Sequence, residues 1–216
     1  MNIFDFLQKN VSTTKKTECV DRLIDLGITF AEMNFFHNQL IYYFSKQLEF
    51  LESYKWAGDT FTIKNGVETK TPASKNRKII FEGWIKKGFP ALICFTNSYI
   101  KSFTTFRNKV YLLVNKGEDL EIKEKNKRRN AIKDVNAKKM LNFFDKYKNL
   151  ITQRNTIHHD FNKFAVSLVK EFLQSKEMSS PLITEMKKFE EKVTEIKNIH
   201  SKIFREFFPL LNAYFD

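Results

Sequence analysis

Residues 17–54 read TECVDRLIDLGITFAEMNFFHNQLIYYFSKQLEFLESY, and their pattern indicates the fold class. Apolar residues recur three or four positions apart, as they do along one face of an α-helix. The residues in this pattern are Val20, Leu23, Ile24, Phe30, Met33, Phe36, Leu40, Tyr43, Phe44, Leu48 and Leu51. We therefore expect one long amphipathic helix over this stretch.

Further helices follow the same spacing. One starts near Asn76 and is expected to break at Gly88-Phe89-Pro90. The others run from Ala91 to Lys116, from Ala137 to Ile151, from Phe161 to Phe172, and from Pro181, capped by Ser180, to Phe207. The chain has 23 Phe against six Gly and four Pro, so large aromatic side chains on long elements should build the interior.

A short stretch between the first two helices has the pattern of strands. Apolar and polar residues alternate over Thr60–Ile63 and Val67–Lys70, on either side of Asn65-Gly66. Asn-Gly is the strongest short-range signal for a two-residue hairpin turn. We expect a β-hairpin at about residues 58–72, acting as a surface decoration or as a binding loop.

These patterns predict an all-α protein: a bundle of about five long helices with a small β-hairpin insertion. We expect a single helical domain over residues 1–216. Residues of about 117–136 are mostly charged and are expected to form a linker or a mobile helix. Their basic side chains are candidate RNA-binding residues: Lys123, Lys125, Lys127, Arg128, Arg129 and Lys133.

The charge balance favours an anionic partner. Lys and Arg number 37 and Asp and Glu 25, which gives a net charge of +12. Such a surface attracts polyanions, so RNA is the natural candidate, although a soluble, lysine-rich protein would have the same balance.

The chain lacks the signals of an export or membrane protein. Its first ten residues do not resemble a signal peptide, and the longest apolar run, Phe89 to Phe95, is too short to span a bilayer. Cys19 and Cys94 are far apart and match no disulfide framework or zinc motif. We expect a cytoplasmic protein with no membrane contact, no metal and no cofactor.

The histidines are the main candidates for chemistry, because phosphate-binding loops, zinc-protease motifs and nucleophile elbows are missing from the sequence. His37 and His200 sit singly on long helices, where a structural or surface role is more common than catalysis. His158 and His159 lie in the run Arg154-Asn155-Thr156-Ile157-His158-His159.

This run resembles the Arg, four-to-six-residue, His motif of the HEPN superfamily, which includes many toxin and phage-defence ribonucleases. Asn is the commonest residue after the Arg in that family, and Asn155 stands there. The resemblance covers about ten residues firmly, and the helical pattern elsewhere agrees with it. Arg107-Asn108 begins a similar phrase, but no His follows, so it is expected to be structural.

The residue types suit RNA cleavage without metal. The reaction needs a base for the 2′-hydroxyl proton, an acid for the leaving 5′-oxygen, and positive charge on the phosphate. His159 can act as base or acid near neutral pH, and Arg154 can bind two phosphate oxygens. Asn155, four residues before His159, could orient the imidazole or the phosphate.

Neighbouring residues leave alternatives open. His158 is either a helix-face residue or a second proton carrier. Asp160 is either an exposed carboxylate or a hydrogen-bond partner of a histidine. The resemblance also implies a homodimer that pairs two motifs. Members with nucleotidyltransferase antitoxins carry Tyr two residues after the His, where this chain has Phe161, so an antitoxin or other regulator stays unknown.

Three functions are therefore compatible with the sequence. The first is a homodimeric, metal-independent endoribonuclease in phage defence or as a toxin. The second is a non-catalytic RNA- or partner-binding helical protein of the same fold. The third is a plain helical scaffold.

Overall fold

Long helices make up most of the described chain. The computed structural model describes residues 17–115, 132–152 and 180–215, with isolated positions at 5, 8, 9, 163, 166, 167, 170 and 174. The α-helices are α1 (Thr17–Trp56), α2 (Ala73–Gly83), α3 (Phe89–Val114), α4 (Val135–Asp145), α5 (Lys148–Thr152), α6 (Ser180–Lys202) and α7 (Phe208–Phe215). A small antiparallel sheet pairs β1 (Thr60–Lys64) with β2 (Val67–Thr71). None of the described helices is long and apolar enough to cross a membrane.

The predicted helical class and the predicted hairpin are both confirmed. The first helix covers the predicted stretch and ends at Trp56. The helix predicted from Phe161 to Phe172 and the charged segment of about 117–136 lie outside the described residues, apart from isolated positions and residues 132–136. The count of about five long helices in the whole chain therefore stays a prediction.

The chain groups into two compact units. The first comprises Met1–His37, Ser98–Arg154 and Ile196–Asp216, and the second comprises Asn38–Asn97 and Asn155–Glu195. Helices α1, α3 and α6 each contribute residues to both units. The predicted single domain stays a prediction.

Aromatic side chains form the core of the first unit, as predicted from the Phe content. Phe30 of α1 lies 5.7 Å from Phe106 of α3 and 4.9 Å from Phe208 of α7, measured between ring centroids. Many of these pairs meet edge to face, the geometry that the ring quadrupole favours. The largest fully buried side chains of this unit include Tyr99, Phe103, Phe106, Phe144 and Phe207.

Helix α4 ends earlier than the sequence pattern predicted. Its start is capped by Asp134, whose carboxylate accepts a hydrogen bond of 2.8 Å from the amide of Ala137. The predicted helix continued to Ile151, but α4 ends at Asp145 and is followed by a turn at Lys146-Tyr147. The Tyr147 amide donates to the carbonyl of Phe144, three residues earlier, at 3.1 Å. This is the spacing of a 3₁₀ turn, which is tighter than an α-helical turn. Helix α5 then starts at Lys148.

The hairpin in the second unit has the predicted turn. Asn65 and Gly66 both have positive φ angles, of 53° and 75°, as a type I′ turn requires. The Asp59 carboxylate accepts a hydrogen bond of 2.8 Å from the amide of Ala73 and pairs with Lys70 at 2.7 Å. These contacts join the base of the hairpin to the start of α2 and hold the pKa of Asp59 below its ordinary value, with the Lys70 hydrogen bond as the main cause.

The predicted break at Gly88-Phe89-Pro90 is wrong. A π-helical turn, Trp84–Gly88, joins α2 to α3 without interrupting the helix, and the Phe89 amide donates to the carbonyl of Trp84. Pro90 lacks an amide proton and its ring would crowd the carbonyl four residues earlier, so a wider turn before it avoids the clash.

A second π-helical turn, Ile203–Phe207, lies near the end of the described chain. It precedes Phe208-Pro209 just as the first turn precedes Phe89-Pro90, and the Phe208 amide donates to the carbonyl of Ile203. In each case a Phe-Pro pair follows a turn that widens the helix instead of ending it.

Candidate functional site

The residues predicted to carry catalysis lie outside the described part of the chain. Arg154, Asn155, His158 and His159 fall in the stretch that follows the end of α5 at Thr152. The same holds for five of the predicted RNA-binding residues, Lys123, Lys125, Lys127, Arg128 and Arg129. Lys133 is described and is exposed, next to the Asp134 cap of α4.

The other two histidines meet inside the first unit. His37 of α1 and His200 of α6 stack with ring centroids 3.9 Å apart and ring planes within 12° of parallel. Phe204 packs edge-on against His200 at 5.5 Å. His200 is buried, with 4% of its surface exposed, whereas His37 is half-buried. The two residues that the sequence shows as isolated therefore form one histidine pair.

Hydrogen bonds satisfy both ring nitrogens of His200. Its Nε2 lies 3.1 Å from Asn34 Oδ1, and its Nδ1 lies 3.4 Å from the Tyr99 hydroxyl. An amide oxygen accepts hydrogen bonds, so Nε2 carries the proton, and the Tyr99 hydroxyl then donates to Nδ1. One donor and one acceptor are what a neutral imidazole offers. The surroundings of His200 therefore fit its uncharged form.

The pKa values of His200 and Tyr99 agree with an uncharged His200. Burial, and next the charge of a protonated His37, lower the pKa of His200 from 6.5 to about 3. Burial also raises the pKa of the Tyr99 hydroxyl above its ordinary value. His200 is consequently neutral at physiological pH, and it cannot supply a proton as a general acid near pH 7.

The two stacked histidines are also poorly placed to bind a metal ion together. Two imidazoles that lie face to face do not point their nitrogens at a common point, as metal ligation requires. Within the described residues, no group of three or more His, Cys, Asp or Glu side chains is placed to hold a metal ion.

The sequence contains a signal that would have indicated this pair. His37 lies four residues after buried Met33 and three before buried Leu40 on α1. His200 likewise lies among the buried residues of α6 and the π-helical turn after it: Ile196, Ile199 and Ile203. Each histidine thus occupies the core stripe of its helix, which predicts burial, although their contact with each other depends on how the helices pack.

A basic corner precedes the predicted catalytic run. Lys146 and Tyr147 form the turn between α4 and α5, and Lys202 Nζ lies 6.0 Å from the centre of the half-buried Tyr147 ring. Lys146 pairs loosely with Glu206 at 3.7 Å. Lys148, which is exposed, begins α5. We call Lys146, Lys148 and Lys202 the basic corner, and in the sequence Arg154 follows the end of α5 by two residues.

Comparison with known proteins found no match. No protein-family model matches the chain, and the searches of curated proteins and of solved structures found nothing similar. A functional assignment therefore depends on the chain's own residues and their chemistry.

Proposed function

We propose that this chain is a metal-independent endoribonuclease that acts in the cytoplasm as a homodimer, in phage defence or as a toxin. The observation that carries the proposal is the run Arg154-Asn155-x-x-x-His159, which begins two residues after the end of α5 and resembles the HEPN motif. The helical class of the described chain is compatible with that resemblance.

The surroundings of His200 support the choice of His159 and His158 for acid-base catalysis. The chain has four histidines. His200 is buried and neutral, so it is not suited to donate a proton near pH 7, and its ring covers one face of His37. His158 and His159 lie outside this pair and follow Arg154 closely in the sequence, so they are the histidines we choose for acid-base chemistry.

The proposed mechanism uses the RNA's own 2′-hydroxyl as the nucleophile. His159 takes its proton and the oxygen attacks the adjacent phosphorus, which displaces the 5′-oxygen of the next nucleotide. Arg154 binds the phosphate as its negative charge increases, and Asn155 orients the imidazole or the phosphate. A second histidine protonates the leaving oxygen, and it is either His158 or His159 of the second subunit.

RNA binding rests on lysine and arginine contacts with phosphates. The proposed contacts are Lys123, Lys125, Lys127, Arg128, Arg129 and Lys133. The basic corner adds cations close to the motif, because α5 rises about 6 Å over four residue steps and two further residues span at most about 7 Å.

The alternative is a non-catalytic RNA- or partner-binding helical protein, and the same basic charge supports it. Cleavage of mixed RNA by purified protein in EDTA separates the two functions. We expect wild type to cut, and His159→Ala and Arg154→Ala each to lose most activity, because general acid-base help is worth about 10²- to 10⁴-fold in rate.

Arg107→Ala is the matched control, because Arg107 is also followed by Asn but has no His behind it. It should cut like wild type, and circular dichroism should show that each variant keeps its helices. RNA that binds to wild type without being cut would favour the binding protein over the enzyme.

A further inference from the structure

Helix α1 has apolar residues on two opposite sides. One side is core, with Leu23, Leu26, Phe30, Met33 and Leu40 buried. At 100° per residue, a second row lies about 180° away. Its large members are exposed: Ile24 by 43%, Ile28 by 65%, Phe35 by 54% and Tyr42 by 55%. We call this row, Ile24, Ile28, Ala31, Phe35, Asn38 and Tyr42, the α1 stripe.

The spacing of the α1 stripe is that of a coiled-coil seam. Its six positions are separated by four, three, four, three and four residues, which is the a and d pattern of a heptad repeat. Ile24 to Phe35 belong to the first unit and Asn38 and Tyr42 to the second, but all six lie on the single helix α1. A second helix is the element that this pattern packs against.

We infer that the α1 stripe is covered by the α1 stripe of a second copy of this chain, with the two helices antiparallel. In that arrangement Ala31 lies opposite Phe35 of the second copy, Ile28 opposite Asn38, and Ile24 opposite Tyr42. Every stripe residue then lies opposite a stripe residue of the second copy, and the small side chain of Ala31 faces the large ring of Phe35. A parallel pair would place Phe35 against Phe35 and Ala31 against Ala31, which demands unequal helix separations.

The exposed area is of the right order for a dimer. Large apolar side chains with about half their surface exposed contribute roughly 100–150 Å² each, so four of them contribute about 500 Å². A standard interface buries about 800 Å² per partner, so these four side chains would supply more than half of it. An apolar row of this size matches the largest patch on a typical monomer, and such patches are often functional.

This inference names a face for the homodimer proposed above, and in that respect it rests on the proposed function. The association assay contains no RNA, however, so loss of pairing and loss of cleavage are measured separately. A protein that dimerises through α1 without cutting RNA would refute the nuclease and leave the α1 pairing intact.

The first test measures mass in solution by light scattering and sedimentation at micromolar concentrations. Wild type should be a dimer, and the Ile28→Lys/Phe35→Lys variant should be a monomer with unchanged helical content, its association weakened by at least about 100-fold. The control is Ile79→Lys/Val135→Lys, which changes two equally exposed apolar residues on α2 and α4 and should stay a dimer. A monomeric wild type, or a stripe variant that dimerises like wild type, overturns the inference.

The second test fixes the orientation and does not depend on charged substitutions. Cys19 and Cys94 are replaced by Ser, and an Ala31→Cys chain is mixed with a Phe35→Cys chain under mild oxidation. The antiparallel pair predicts disulfide-linked dimers that contain one chain of each kind. Dimers that link like chains, 31 to 31 or 35 to 35, with no mixed species would overturn the antiparallel pairing.

Discussion

Lowering the pH should destabilise the fold through His200. Its pKa is lowered to about 3 in the fold, from 6.5 in the unfolded chain, so the unfolded chain binds the proton first. The stabilisation is therefore present in full above about pH 6.5 and is lost as the pH falls towards 3. Protonation of His200 in the unfolded chain lowers the unfolding free energy by about 2 kcal/mol between pH 7 and 5, and by about 4 kcal/mol between pH 7 and 3.

Urea denaturation followed by circular dichroism at pH 7, 6 and 5 measures this loss. His200→Phe is the comparison, because an aromatic ring can take the place of the imidazole beside Phe204 but cannot be protonated. At pH 7 the variant should lose about 1–3 kcal/mol, since the Tyr99 hydroxyl and Asn34 Oδ1 lose their partner. Between pH 7 and 5, its stability should fall by about 2 kcal/mol less than that of wild type.

Carboxylates contribute equally to both proteins, so the difference between them isolates His200. If wild type and His200→Phe lose the same free energy between pH 7 and 5, then His200 is protonated freely in the fold. The assignment of His200 as a buried, neutral histidine would then be wrong.

Three further predictions test separate contacts. Tyr99→Phe removes the donor to His200 Nδ1 and should cost about 1–2 kcal/mol of unfolding free energy in urea, with an unchanged value contradicting that hydrogen bond. Gly88→Ala should lower the unfolding free energy by about 1–3 kcal/mol, because its new Cβ would lie 3.0 Å from Trp84 Cδ1. Gly83→Ala is the control and should be neutral or stabilising, because a Cβ there has nothing within 4 Å. Equal effects of the two substitutions would argue against the close Trp84 contact. Asp59→Asn should speed amide exchange in the hairpin, because it weakens the contacts to Lys70 and Ala73, and exchange unchanged from wild type would show that these contacts do not anchor it.

Local patterns were enough to predict most of the described fold. The periodicity of residues 17–54 predicted α1, and Asn65-Gly66 predicted the turn between β1 and β2, because helix spacing and turn geometry depend on neighbouring residues. Pro90 misled the prediction of a break, since the effect of a proline in a helix depends on its surroundings. Here the helix widens before Pro90 while Trp84 packs against Gly88.

The histidine pair could be predicted only in part. The burial of His200 and the partial burial of His37 follow from their neighbours on each helix. Their stacking depends on contacts between residues 163 positions apart in the sequence, which no local pattern encodes. Arg154, Asn155, His158 and His159 lie outside the described residues, so their roles stay predictions from sequence and chemistry.

In the proposed reaction, His159 and Arg154 cut RNA through its own 2′-hydroxyl. The most direct measurement uses a DNA oligonucleotide with a single ribonucleotide, incubated with the protein in EDTA, with product ends identified by mass spectrometry. We expect one cut, after the ribose, to give a 2′,3′-cyclic phosphate and a 5′-hydroxyl, and no cut in an all-deoxy strand or by His159→Ala. Cutting of the all-deoxy strand, or equal cutting by His159→Ala, would contradict the mechanism.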